Sequence, residues 1–147
     1  MTWRSLLLAG AALALTAMAF HPQAYAQHHA AAPNPLGIEV RHIHIWVTDV
    51  ERTKAFYRDK LGFPVANETP GVMVEFSGLW FGKWTGQGSI PTGGITIGIS
   101  ARSVEAAYNE LKKRGVSIPN PPAPAHGEFA FMLKDPDGYE IEIEGPK

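Results

Sequence analysis

The chain contains no cysteine. Disulfides, a thiol nucleophile and a lipoprotein acylation site are therefore excluded. An excess of charge of either sign is also lacking: 13 Lys plus Arg stand against 14 Asp plus Glu, a formal net charge of −1 over 147 residues. Such a balance gives no electrostatic case for binding nucleic acid or an anionic membrane, and the length suits one small domain. A membrane-spanning run is missing as well, because the uncharged stretch at residues 5–20 falls short of the roughly 20 residues a spanning helix needs.

That stretch fits a different purpose. A single positive charge at Arg4, the uncharged run from Ser5 to Phe20 and small residues at Ala24 and Ala26 make the three-part layout of a secretory signal peptide. Cleavage is expected between Ala26 and Gln27, leaving a secreted or periplasmic protein with no stable membrane anchor. An exported chain without disulfides must be held by its core or by a partner subunit. Residues 27–37, QHHAAAPNPLG, have no apolar period to bury and read as a flexible tether. His28 and His29 lie on this tether, where exposed histidines need no ligand role.

The remainder, residues 38–147, contains a repeat. Ile43, Ile45 and Val47 recur as Ile95, Ile97 and Ile99, and Ala55-Phe56 as Ala107-Tyr108, all at an offset of 52. After the helical segments the offset is 53, pairing Gly62 with Gly115, Phe63 with Val116 and Val65 with Ile118, so one inserted residue near the second helix is expected. Each copy opens with the alternation of a half-buried strand and continues into an amphipathic helix. Val50, Thr53, Tyr57 and Leu61 share one stripe of the first helix, and Val104, Ala107, Tyr108 and Leu111 share one of the second. Thr48, three residues before Glu51, predicts a capping box, Ser103 predicts a cap, and Gly62 and Gly115 predict the stops. Two further strands follow in each copy, at residues 72–77 and 79–84 and at 128–133 and 139–144, split by turns at Gly78 and at Asp135-Pro136-Asp137-Gly138. With one more strand after each helix, the expected fold is α+β: two βαβββ modules, about 38–88 and 91–147, forming a curved mixed sheet with helices on its convex face.

Alternation splits the strands into two faces. Ile43, Ile45, Val47, Leu79, Phe81, Ile95, Ile97, Ile99, Tyr139, Ile141 and Ile143 make an apolar set for the helices to cover. The opposite set is His42, His44, Trp46, Trp80, Gly82, Trp84, Gly94, Thr96, Gly98, Glu140, Glu142 and Glu144. Tryptophans supply planar apolar wall and glycines leave room for a ligand. A dimer interface that buries the tryptophans is the alternative reading.

His42 followed seven residues on by Asp49, then AFYRDKLGF (55–63), then DPDGYEIEIE (135–144), resembles the vicinal oxygen chelate superfamily of glyoxalase I, fosfomycin and bleomycin resistance proteins and extradiol dioxygenases. The resemblance covers about residues 38–145. It implies up to four metal-ligand positions, two per module. His42 and Glu142 match two of them, whereas Gly82 and Gly94 occupy the others and have no ligating side chain, which disfavours a four-ligand glyoxalase I. Export disfavours it too, since the glutathione such an enzyme needs is chiefly cytoplasmic.

His42 and His44 stand ~7 Å apart on one strand face, so with Glu142 they are candidates for a two-His, one-carboxylate site for Fe, Mn or Zn. His126 is a conceivable fourth ligand or acid–base group, or simply an exposed loop histidine. On the metal reading, an exported lyase, isomerase or dioxygenase would take a small substrate with vicinal oxygens, Glu142 serving as ligand and base and His44 as ligand or proton relay. Trp46, Trp80, Trp84 and Thr96 are the candidate substrate-binding residues, and they suit an aromatic diol as well as a small phosphonate. Cations for a phosphonate are scarce, because alternation places Lys83 on the helix-covered face. The rival is a non-catalytic protein that sequesters a planar ligand, as bleomycin resistance proteins do, and a third reading is a cleft that receives another protein. The resemblance also implies a homodimer.

Overall fold

Apolar alternation around Ile43–Val47 and Thr96–Ser100 does produce strands, and each opens a module. The computed structural model describes Leu36 and residues 41–147. The expected signal peptide, and the tether apart from Leu36, lie outside the described residues, as do His28 and His29. The first module runs β1 (Ile43–Val47), α1 (Val50–Ala55, continued by a π-helical turn Phe56–Lys60), β2 (Asn67–Thr69), β3 (Met73–Phe76) and β4 (Leu79–Lys83). In the second, β5 (Thr96–Ser100), α2 (Val104–Lys113), β6 (Ala123–Ala125), β7 (Glu128–Lys134) and β8 (Glu140–Gly145) repeat the order. Strand orders are β1-β4-β3-β2 and β5-β8-β7-β6, with β1 parallel to β4 and β5 parallel to β8.

The α+β class and the βαβββ order are as expected, but the sheet consists of two hydrogen-bonded halves. β1 and β5 are edge strands that do not pair. Their side chains line one cleft of about 440 Å³, floored by Ile43, Ile45, Leu79 and Ile97. Ile43 and Ile95 are consequently exposed, although alternation assigned them to the covered face. Lys83 is exposed too, at the end of β4.

The helices depart from the simple offset in an instructive way. Val50, Thr53 and Tyr57 are buried in the first, and Val104 and Leu111 are buried with Ala107 packed beside them in the second. These triplets align at an offset of 54, not 52. Four residues separate Ile99 from Val104 where two separate Val47 from Val50, and the π-helical turn of the first helix takes up one extra residue of its own. The single insertion inferred from sequence is the net of these two changes, and the match of Ala55-Phe56 to Ala107-Tyr108 does not hold in space.

Capping differs as well. Asp49, not Thr48, caps α1 by accepting from Glu51 N and Arg52 N, while Ser103 caps α2 as expected. Thr48 is freed for the second module. Its N and Oγ1 both donate to Asp137 Oδ1, at 2.9 and 2.5 Å, and Arg52 donates to the same oxygen at 3.1 Å. The Asp137 side chain is only 2% exposed, so this carboxylate of the DPDG turn is buried against the start of α1.

Beside it, Asp135 is buried and accepts from Asp137 N and Tyr139 N, each at 2.9 Å. Burial raises its pKa above the usual 3.8 despite those bonds. Because the folded pKa is raised, this group favours folding fully below the unfolded value and loses that contribution as pH rises through the folded value. Asp135→Asn keeps an acceptor and removes the titration. Urea melts over the acidic range are expected to show a shallower gain in stability on lowering pH for this variant than for the native chain. Identical pH profiles would show that Asp135 does not titrate in this window.

Candidate functional site

The open face of the first module is built by three strands. Register places His44 beside Trp80 and Trp46 beside Gly82 across β1 and β4, while Glu75 and Met73 of β3 flank Trp80 and Gly82 on the other side. His42 lies flat on Trp80, ring centroids 4.3 Å apart and 16° from parallel. His44 leans on Trp46 at 4.4 Å, and Trp46 meets Trp84 edge-on at 5.9 Å. Five rings thus line the face as two neighbouring groups, the His42–Trp80 stack and the His44–Trp46–Trp84 chain, side by side through the register of His44 with Trp80, and Trp46 is 42% exposed. Trp84 is half-buried just beyond β4, its Nε1 buried without a hydrogen-bond partner among the described residues.

Gly82 decides where His44 lies. A Cβ at this position would sit 2.3 Å from His44 Nε2, so the imidazole occupies the space that any other side chain at 82 would fill. The same is not true of Gly94. It belongs to the turn before β5, at φ +83°, with open space beside it, and is therefore not the strand position that alternation assigned it.

The second module's open face carries Thr96, Gly98 and the β8 carboxylates. Thr96 pairs in register with Glu140, and Gly98 with Glu142. Glu142 is half-buried beside Met132 of β7, and its Oε1 lies 3.7 Å from Nε2 of His126, which is 74% exposed. His126 sits at φ +51° in the turn joining β6 to β7. Its nearest acidic partner is therefore Glu142, and the structure brings these two together.

His42, His44 and Glu142 are not brought together. Among the described residues, no group of three or more His, Cys, Asp or Glu side chains is placed to hold one metal ion. His44 Nε2 stands over the β4 backbone, and the imidazole nearest the Glu142 carboxylate is that of His126. Within one chain these residues do not fit the expected two-His, one-carboxylate centre.

A family model, the Glyoxalase/Bleomycin resistance protein/Dioxygenase superfamily, matches residues 39–143. The chain belongs to this superfamily. Among solved structures it is similar to a protein of unknown function from Agrobacterium tumefaciens, at 26% identity and a TM-score of 0.63, covering 74% of this chain and 94% of that one. A lactoylglutathione lyase from the same species is similar at 18% identity and a TM-score of 0.59, covering 76% and 95%. The antibiotic binding protein TnmS3 from Streptomyces sp. CB03234 is similar at 24% identity and a TM-score of 0.60, covering 75% and 97%. No curated protein matches the chain in sequence. Glyoxalase-superfamily folds thus carry a lyase and a binding protein alike, and the side chains of this chain must decide between such activities.

Sequence reasoning missed Tyr139 as a site neighbour. Alternation put it in the apolar set, and it is indeed buried. Its hydroxyl nevertheless donates to the carbonyl of Trp46 at 2.8 Å, a contact between modules that strand periodicity does not signal.

Proposed function

We propose that the open face of the first module binds a planar, aromatic small molecule. The observation that carries this reading is the five-ring surface of His42, His44, Trp46, Trp80 and Trp84, left open to solvent and floored by Gly82. Rings of this kind favour offset stacking or edge contacts with another aromatic ring, worth about 0.5–1.5 kcal/mol each beyond their area. The imidazoles and Glu75 at the rim supply polar groups for hydroxyl or carbonyl substituents. A vicinal dihydroxynaphthalene, titrated into the purified protein and followed by tryptophan fluorescence, is expected to bind. Trp46→Ala or Trp80→Ala should each weaken it about three- to tenfold. Affinity unchanged from the native protein in either variant would sink the reading.

The metal-dependent alternative is favoured by one observation: the imidazoles of His42 and His44 and the carboxylate of Glu142 lie on faces that the helices leave open. A second copy of the chain would have to bring its Glu142 to His42 and His44, so this reading includes a homodimer. Bound Fe, Mn or Zn would then supply a Lewis acid for vicinal oxygens. Near-stoichiometric metal in the native protein, lost in both His42→Ala and Glu142→Ala, is the result it requires. Either reading places the protein outside the cytoplasm on the strength of its N-terminal sequence, which processing at Ala26 would test by mass.

A further inference from the structure

β1 is an edge strand whose odd-numbered residues bond to β4: Ile43 N donates to Gly78 O, and Val47 O accepts from Trp84 N. The backbone groups of its even-numbered residues therefore point off the free edge. Trp46, and Thr48 just past the end of the strand, are tied to a single turn of the other module. The Trp46 carbonyl accepts from the Tyr139 hydroxyl at 2.8 Å, and Thr48 N donates to Asp137 Oδ1 at 2.9 Å. That turn is itself held by Asp135, which accepts from the backbone N–H of both Asp137 and Tyr139.

We infer that Tyr139 is a positioning residue for the aromatic face, its hydroxyl fixing the Trp46 backbone so that the 135–139 turn of the second module sets where the rings of the first module stand. The inference rests on the aromatic-ligand reading given above. Tyr139 is buried, yet its hydroxyl ends on a main-chain carbonyl rather than in solvent. Trp46, by contrast, has an exposed side chain on an edge strand, held from one side by β4. Phenylalanine at 139 would fill the same volume and omit only the bond. The loss would fall on the placement of Trp46 and leave the core packing intact.

The test compares Tyr139→Phe with the native protein, using the vicinal dihydroxynaphthalene as probe. Affinity should fall about three- to tenfold, and this fall should vanish when Trp46→Ala is already present. In the ligand-free protein, the Trp46 indole N–H resonance should shift or broaden in Tyr139→Phe while that of Trp80 stays in place. An unmoved Trp46 resonance, or the same loss of affinity with and without Trp46, overturns the inference. Should Trp46→Ala alone leave binding unchanged, the ligand reading fails, and the resonance still decides whether Tyr139 positions Trp46. If Tyr139→Phe does not fold, Thr48→Ala removes a hydroxyl from the neighbouring tie to the same turn, and an unmoved Trp46 resonance in that variant overturns the claim that the 135–139 turn sets where the ring stands.

Discussion

Tyr57→Ala is expected to lower the unfolding free energy by about 4 kcal/mol, the range for emptying an aromatic site in a closed core. Tyr57 is fully buried, with Phe81 at 4.5 Å, Phe56 at 5.5 Å and Phe76 at 5.6 Å between ring centroids. It lies where the π-helical turn meets β3 and β4, so the cavity would open beneath the strands that carry the aromatic face. The hydroxyl is a separate matter. It stands 3.5 Å from Asp135 Oδ2, and burial holds its pKa above the ordinary tyrosine value, so it remains a neutral donor. A contact of that length is weak. Tyr57→Phe should therefore cost below about 1 kcal/mol. Urea denaturation of the two variants separates ring from hydroxyl, and equal losses in both would show that the Asp135 contact, not packing, holds this corner.

The repeat made the fold legible because strand and helix periods are set by which side chains must be buried. Ile45, Val47, Phe81, Ile97, Ile141 and Ile143 are all buried as alternation required. Alternation fails where a strand ends or has no neighbour: Ile43 and Ile95 line an open cleft between unpaired edges, and Gly94 is a turn residue. The candidate site was legible as a face, with His42, His44, Trp46 and Trp80 on one side of β1 and β4. It was not legible as a metal centre, because bringing Glu142 to the histidines depends on how the two modules are set against each other. Among the contacts that join the modules are those of Asp137 with Thr48 and of Tyr139 with Trp46, 89 and 93 residues apart in sequence, which no local pattern reports. Nor could the position of His44 be read from β1 alone, since it is set by the missing side chain at Gly82 on the neighbouring strand.

Gly82→Leu is expected to separate binding from stability. The first carbon added at 82 would come within 2.3 Å of His44 Nε2 and 3.1 Å of its Cε1, so the imidazole must leave its place. Because His44 is exposed, its ring can swing into solvent at little cost, and a strand interior gains from exchanging glycine for a larger apolar residue. Stability in urea should hence stay within about 1 kcal/mol of the native chain. Ligand binding has no such escape. The leucine would fill the floor of the face and break the contact of His44 with Trp46, and overpacking of this kind costs about 2 kcal/mol, roughly a thirtyfold loss of affinity. With His44→Ala already present the ring has nothing left to displace, so the second substitution should cost less than it does alone. Undiminished binding of the dihydroxynaphthalene by Gly82→Leu would show that the ligand does not enter over Gly82.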